Sequence, residues 1–468
     1  MNTPWRTYLL WFAQENVQFR FAEMNSLLSL LNIQMKFIQK PKDIEPYWIV
    51  EFASEKDVRL LASRAVSLRS CLELWAHGKS IPDLHEKLKL YPHHLMAPYL
   101  QPDKSFKIEV ETFCKHFTQK EKVDKIESFN YLPVMGPVDL RKPDVTLQYI
   151  EYYGIISNDP PDLPYDVFFG RWIANGLRQL IQKLSLKTRK FIGNTSMDAQ
   201  LSLLMANQAG VKEGDIVLDP FVGSGSLLVA AAQFGAYVFG TDIDYLMLHA
   251  RTRPSRITQK EREKDESIKA NMKQYNLENR YLDVLVNDFS VSFWRSNIEL
   301  DAIITDPPYG IRESTERVGT AKECNAVKEE HLSTHIPAKT EYGISSLYSD
   351  LLSFSAKHLR VGGRLVCWFP VFREDYDENY LPSHPCLELV ANNEQTLTKV
   401  TSRHLLTYKK TETFNPLHTA QNEIMDFRER YYTAREETRK ERRTRETKIR
   451  QENRLRHEKE THDKTNIS

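Results

Sequence analysis

Between residues 195 and 410 the sequence repeats one pattern: a short apolar run, a turn rich in glycine or aspartate, then helical periodicity. DIVLDP is the first such run, and SLLVAAAQFG reads as a helix ended by Gly235. AYVFGTDID, LDVLVNDF, LDAIITDPPYG and GRLVCWFP follow as further strands. LYSDLLSFSAKHLRVGG supplies a helix before the last of them, stopped by Gly362 and Gly363. Strands that alternate with helices need crossover connections, and these build a parallel sheet with helices on both faces. LELVA and RHLLTYKK then add antiparallel strands at one edge. The expected α/β sheet directs ligands to the carboxyl ends of its strands.

Four motifs fall at those ends. In VLDPFVGSGS (Val217–Ser226), Gly223 and Gly225 permit a tight turn and close approach of a ligand to the backbone. Leu228 stands where a third glycine would complete a dinucleotide fingerprint, which lowers that reading. Asp219 at the strand end suits a cationic or hydroxyl-bearing ligand better than a pyrophosphate. Asp242, in GTDID, can accept both hydroxyls of a ribose. In NDF (Asn287–Phe289), Asp288 can accept from an adenine amino group and Phe289 can lie on the ring. Taken singly, each acid is no more than a turn former. The most specific motif is Asp306-Pro307-Pro308-Tyr309-Gly310, directly after an apolar strand. The Asp306 carboxylate and the Pro307 carbonyl present two acceptors to an exocyclic NH2 group, and Tyr309 offers a face to a planar base. Proline fixes φ and holds the acceptors rigidly, although a bare turn would use the same residues.

Upstream, YWIVEF (Tyr47–Phe52) reads as a strand and SEKDVRLLASRAV as a helix capped by Ser54. SFKIEVETF (Ser105–Phe113) and DVTLQYIEYYG (Asp144–Gly154) alternate as half-buried strands do, and SNDPPDLPYD marks a boundary. RWIANGLRQLIQKLSLKTRK (Arg171–Lys190) carries six Lys/Arg and no acid. Trp172, Ile173, Leu177, Leu180, Ile181 and Leu184 fall at helical spacing, so a basic amphipathic helix is expected, either contacting phosphate or simply solvated. The polar stretch from Arg312 to about Thr340 reads as a mobile lid. Beyond residue 421, 14 Lys/Arg interleave with 11 Asp/Glu, as in a solvated helix or a disordered tail.

Over the whole chain 64 Lys/Arg balance 63 Asp/Glu, so any polyanion site is a local patch. Cys71, Cys114, Cys324, Cys367 and Cys386 are scattered, without metal-like spacing, which suits free thiols in a reducing compartment. The opening residues lack the basic flank of a signal peptide, and no uncharged run reaches membrane-spanning length. The expected location is cytoplasmic.

Read together, FIGNTSMDAQLSLLMANQA (Phe191–Ala209), DPFVGSGS, DPPYGIRE and GGRLVCWFP resemble the catalytic subunits of eukaryotic tRNA (guanine-10-N2)-methyltransferases. These are Rossmann-like class I amino-methyltransferases. SFKIEVETF with PVDLRKPDVTLQYIEYYG is similar to the THUMP domain of that family, which grips the tRNA acceptor end. The resemblance implies a ferredoxin-like domain over 1–100, a THUMP-like RNA-binding domain over 101–165 and a basic linker helix over 166–194. It places the methyltransferase domain over 195–420 and a charged tail over 421–468. S-adenosylmethionine is implied as cofactor, tRNA as partner, and a small zinc-binding activator subunit as a second partner. Carried over by position, Thr195, Ser196, Asp219, Gly223, Gly225, Asp242 and Asp288 fall in the cofactor site, with Phe221 and Phe289 beside them. Asp306, Pro307 and Tyr309 fall at the catalytic positions, and no metal site is implied. Val222 and Ser226 stand where cysteine and threonine are frequent.

Competing readings share some of these motifs. An amino-methyltransferase acting on DNA adenine or on another RNA guanine or adenine would keep DPPY, but an RNA-type N-terminal region argues against DNA. A protein-glutamine methyltransferase usually has asparagine in place of Asp306. A catalytically dead RNA-binding scaffold would not need Asp219, Asp242 and Asp306 intact.

Overall fold

The computed structural model describes residues 5–156, 159–311, 313–320, 329–331, 335–421, 427 and 431. Its first strand, β1 (Arg6–Phe12), is apolar on both faces and buried over its last five residues. A strand of that kind belongs in the middle of a sheet. It pairs antiparallel with β3 (Tyr47–Phe52) on one side and β4 (Leu68–Gly78) on the other; β2 (Met35–Phe37) lies beyond β3. The sheet continues through β7 (Asp166–Asn175) and β6 (Val145–Tyr152) to β5 (Phe106–Phe113), in the order β2-β3-β1-β4-β7-β6-β5. Strands from both sides of residue 100 thus hydrogen-bond into one sheet. Ser54 caps the helix Glu55–Ala62 as expected, accepting from the Asp57 N–H at 3.2 Å.

The expected helix over Arg171–Lys190 is not formed as such. Its first part belongs to β7, and only Arg178–Lys183 is helical. Val167, Phe168, Phe169 and Ile173 are buried in the sheet, and Gly170 lets β4 approach so closely that any Cβ would collide with the Glu73 carbonyl oxygen. Burial between two strands overrides the 3.6-residue spacing of the apolar positions. The charge reading changes too. Arg171 is buried against Glu73 and Glu55, and Arg189 is buried, donating to Ser226 Oγ and the Leu184 carbonyl, both at 2.8 Å. Neither faces solvent.

The C-terminal sheet comprises β8 (Ile216–Asp219), β9 (Tyr237–Asp242), β10 (Tyr281–Val286) and β11 (Leu300–Thr305). A short ribbon, β12 (Glu316–Val318) with β13 (Lys339–Glu341), precedes β14 (Leu359–Phe372), β15 (Leu387–Thr396) and β16 (Thr401–Lys410). The order is β10-β9-β8-β11-β14-β16-β15, parallel as far as β14 and antiparallel beyond it. Alternate residues serve opposite faces. Ala302 and Ile304 of β11 join the core with helices Ala199–Gln208 and Ser226–Gln233, whereas Ile303 joins that of helix Ile344–His358.

Gly362 and Gly363 do not stop that last helix, which ends at His358. Both lie inside β14, which bulges: Leu300 faces Leu359 but Ala302 faces Arg364. Gly362 takes φ +85°, and a Cβ on Gly363 would lie 2.9 Å from the Asp301 carbonyl oxygen, so both positions suit a bulge. Of the Arg312–Thr340 stretch, residues 313–320, 329–331 and 335–340 are described, and the rest of the expected lid lies outside the described residues. The expected tail also lies outside them, apart from Gln421, Phe427 and Tyr431.

The two sheets are joined through buried polar groups. Glu23, on helix Arg20–Leu31, accepts from the N–H groups of Val66 (2.8 Å) and Ser67 (3.0 Å), from the Ser67 hydroxyl, and from Asn207 Nδ2 (2.8 Å) on the far side of the junction. Phe19 packs edge-on to Trp368 at 5.9 Å, and Arg364 donates to Ser26 Oγ at 2.9 Å. Glu23→Ala strands these donors without partners and should cost roughly 2–4 kcal/mol of stability. Thermal denaturation would show the drop in Tm; an unchanged Tm would mean that the junction carries no folding energy.

Candidate active site

The turn after β8 is built around Gly223, which has φ +48° and donates its N–H to Asp242 Oδ2 at 2.8 Å. The other oxygen of Asp242 accepts from the Asp244 N–H at 2.9 Å, so one carboxylate ties the ends of β8 and β9 together. A Cβ on Gly223 would meet nothing within 4 Å, because that position opens on the cavity. Gly225 differs. It has φ +78° at the N-cap of helix Ser226–Gln233, and a Cβ there would meet Ile268 at 2.8 Å.

Asp219 is buried, with Oδ1 accepting from the Thr305 hydroxyl at 2.7 Å and the Phe221 N–H at 3.1 Å. Burial, with the negative charges of Asp242 and Asp306 nearby, pushes its carboxyl up to about 8 against those two hydrogen bonds. Burial raises the carboxyls of Asp242, Asp306 and Glu313 as well. These acidic side chains line one enclosure, an arrangement that suits hydroxyl groups and, where the carboxyls are ionised, a cation.

The enclosure consists of two joined cavities of about 520 and 260 Å³, which share Phe221, Gly223, Met247, Asp306, Pro308 and Glu313. Of the expected residues, Thr195, Ser196, Asp219, Pro307 and Tyr309 line the larger cavity, and Asp242 and Phe289 line the smaller. Thr195 donates its hydroxyl to Glu313, and the Ser196 and Ser224 hydroxyls lie 2.5 Å apart. Phe221 and Phe289 lean together with centroids 5.0 Å apart. Two expected residues line neither cavity. Gly225 serves the helix N-terminus, and the Asp288 carboxylate accepts from the N–H groups of Ser290 (2.9 Å) and Val318 (2.7 Å), anchoring the ribbon strand β12.

Asp306 follows β11 directly, at the junction of the cavities. Its Oδ1 accepts the Tyr309 hydroxyl and its Oδ2 accepts Arg403 Nη1 at 3.2 Å. Tyr309, expected as a stacking platform, thus also has its hydroxyl on the carboxylate. Sequence reasoning missed Arg403, which opens RHLLTYKK, a run read only as an edge strand. The available signal is directional: β16 runs antiparallel to β14, so its first residues arrive at the carboxyl ends of the parallel strands, with Arg403 opposite Pro370. Glu313, Thr398 and Thr401 of the larger cavity were missed likewise.

A family model described as the Tmrp11 THUMP N-terminal domain matches residues 6–178, and one described as the RMKL-like methyltransferase domain matches residues 187–323. Fold and site therefore define a THUMP-containing methyltransferase. The chain is similar to tRNA (guanine(10)-N(2))-methyltransferase TRMT11 of Bos taurus, at 47% identity over 91% of this chain and 95% of the relative. The TRMT11 protein of Rattus norvegicus is 49% identical over 87% and 89%, and the tRNA (guanine(10)-N(2))-methyltransferase of Saccharomyces cerevisiae is 34% identical over 91% and 99%. The chain belongs to the tRNA (guanine(10)-N(2))-methyltransferase family.

Proposed function

We propose that this chain is the catalytic subunit of a tRNA methyltransferase that moves a methyl group from S-adenosylmethionine to the exocyclic N2 amine of guanosine 10. The observation that carries the reading is the place of Asp306, which lines both cavities, with Pro307 beside it in the larger one. The donor set fits the cofactor: acids for a cation and for ribose hydroxyls, and paired phenylalanines for an adenine. Asp242 would hold the ribose, Phe221 and Phe289 the adenine, and Asp219, Thr195 and Ser196 the amino-acid end. When bound, S-adenosylmethionine supplies an electrophilic methyl group on a sulfonium.

The remaining work falls to the chain. A guanine amine is a poor nucleophile because its lone pair is delocalised into the ring. Asp306 Oδ1 and the Pro307 carbonyl accept its two N–H bonds, turn the lone pair towards the methyl carbon and stabilise the emerging positive charge. The Tyr309 hydroxyl gives up its bond to Oδ1 as the amine arrives, while its ring covers the extruded base. The Asp306 carboxyl, whose proton affinity burial has raised, then accepts the proton the amine releases.

In this reading residues 6–175, whose strands form one sheet, bind tRNA by shape and set its position, residues 176–194 connect them to the transferase, and residues 195–420 perform the chemistry. Among the described residues the edge strand β10 has Leu282, Leu285 and Val286 exposed and no strand on its outer side. Such an edge suits the small zinc-binding activator subunit. Among the described residues no helix is long and apolar enough to cross a membrane; cytoplasmic residence, in keeping with the free thiols of Cys71, Cys114, Cys367 and Cys386, is part of the proposal.

Nucleoside mass spectrometry of tRNA from cells lacking the protein tests the function. Loss of N2-methylguanosine at position 10 is expected, and an unchanged profile would overturn the reading. The basic segment gives a smaller prediction. With Arg189 buried, its exposed cations include Lys183 and Lys187, so Lys183→Gln with Lys187→Gln should weaken tRNA binding and lower its salt slope by up to about two. An unaltered slope would leave this segment a solvated face.

A further inference from the structure

Arg403 is held on three sides. Its guanidinium lies 4.0 Å from the centre of the Trp368 ring, its Nε donates to Gln395 Oε1 at 2.8 Å, and its Nη1 reaches Asp306 Oδ2 at 3.2 Å and the Tyr309 hydroxyl at 3.4 Å. Both partners of this ion pair are largely shielded from water, with side-chain exposures of 14% and 24%. An arginine held over an indole and anchored at Nε has little freedom left for its Nη edge. That edge meets the oxygen of Asp306 which the target amine does not use.

We propose that Arg403 is a positioning residue for methyl transfer: by occupying Asp306 Oδ2 it fixes the carboxylate, as an anion, with Oδ1 turned towards the incoming amine. The inference rests on the reading of Asp306 as acceptor of that amine.

The charges around Asp306 show why a cation is needed there. Asp219 approaches from the end of β8, Glu313 from the loop after DPPY, Tyr348 from helix Ile344–His358, Cys367 from β14 and Tyr309 from its own turn. These groups are acids or neutral hydroxyls and thiols. Among the described residues Arg403 is the cation paired with Asp306. Burial favours the protonated acid, and Arg403 opposes it. A protonated Asp306 would offer a donor to a donor, and the amine would lose its orientation. Removing Arg403 raises the Asp306 carboxyl further, so the ionised form, and activity with it, is lost from the acid side upward.

The test is single-turnover methyl transfer to tRNA by the full chain with its activator subunit, across pH, for wild type, Arg403→Gln and Arg403→Lys. For Arg403→Gln the rate near neutral pH should fall by about tenfold to a hundredfold, and the acid limb of the profile should move up by roughly 1 to 3 pH. The deficit should narrow in alkaline buffer, and Arg403→Lys should restore part of the limb. Affinity for S-adenosylmethionine and the Tm, measured alongside, establish that the variants are folded. A rate for Arg403→Gln within twofold of wild type at every pH overturns the proposal. So does a deficit independent of pH or confined to the KM for tRNA, which would make Arg403 a packing or base-binding group. Absence of transfer by the wild-type complex would instead remove the functional reading itself.

Discussion

Asp306→Ala should lower the single-turnover rate of methyl transfer by about 10² to 10³, or roughly 3–4 kcal/mol. The variant removes one of two acceptors for the amine, so the nucleophile loses its orientation and the developing cation loses its partner. It also leaves Arg403 and the Tyr309 hydroxyl without the carboxylate they share, so a Tm measured alongside separates lost chemistry from lost stability. Asp306→Asn keeps the volume, but Arg403 claims its one oxygen and turns the amide NH2 towards the amine, so it should recover little of the activity lost in alanine. Affinity for S-adenosylmethionine should hardly change, because Asp242, Asp219 and the phenylalanine pair hold that ligand in the proposed arrangement. Wild-type rates for the alanine variant would reduce DPPY to a turn.

Gly223→Val should abolish binding of S-adenosylmethionine while leaving the fold in place. Two effects act together. Valine disfavours φ +48°, at a cost of about 1–3 kcal/mol. Its side chain also projects into the cavity, where a Cβ meets no protein atom within 4 Å. Any relaxation of the turn swings the Gly223 N–H away from Asp242 and loosens the carboxylate assigned to the ribose. Calorimetry should show no binding heat for valine and a weakened but measurable affinity for Gly223→Ala, which keeps most of the strain and little of the bulk. Gly225→Val makes the contrast. Its side chain would strike Ile268, so it should lower the Tm first. Wild-type affinity in Gly223→Val would make the turn structural only.

The central parallel strands were legible because each has a reason to be apolar: β8 and β11 give residues to the cores on both faces of the sheet. Of the acids at the strand ends, Asp219, Asp242 and Asp306 line the cavities, as the position at carboxyl ends of parallel strands leads one to expect. Sequence failed where a residue's role depends on a distant partner. Arg171 and Arg189 count as free charges in the chain, yet Glu73, Glu55, Ser226 and the Leu184 carbonyl absorb them. The apolar positions of Arg171–Lys190 fit a helix only because a strand, a turn and a short helix happen to sample that spacing in succession. Arg403 stands 97 residues from Asp306, and only the β14–β16 register brings the two together. Asp288 was read as a ligand contact because nothing in NDF reveals that a ribbon thirty residues on, at Val318, will take one of its oxygens.

The uncovered edge at β10 bears on the life of the polypeptide in the cell as well as on its chemistry. A strand with exposed apolar side chains and, among the described residues, no strand beyond it is open to pairing with another chain. Newly made chains that find no cover are therefore exposed to self-association and to the chaperones and proteases that clear such species. If the proposed activator subunit caps that strand, the steady-state amount of this protein should follow the supply of that subunit more than the rate of its own synthesis. Surplus message would yield little surplus protein, and a shortage of the cap would read out as a shortage of the enzyme.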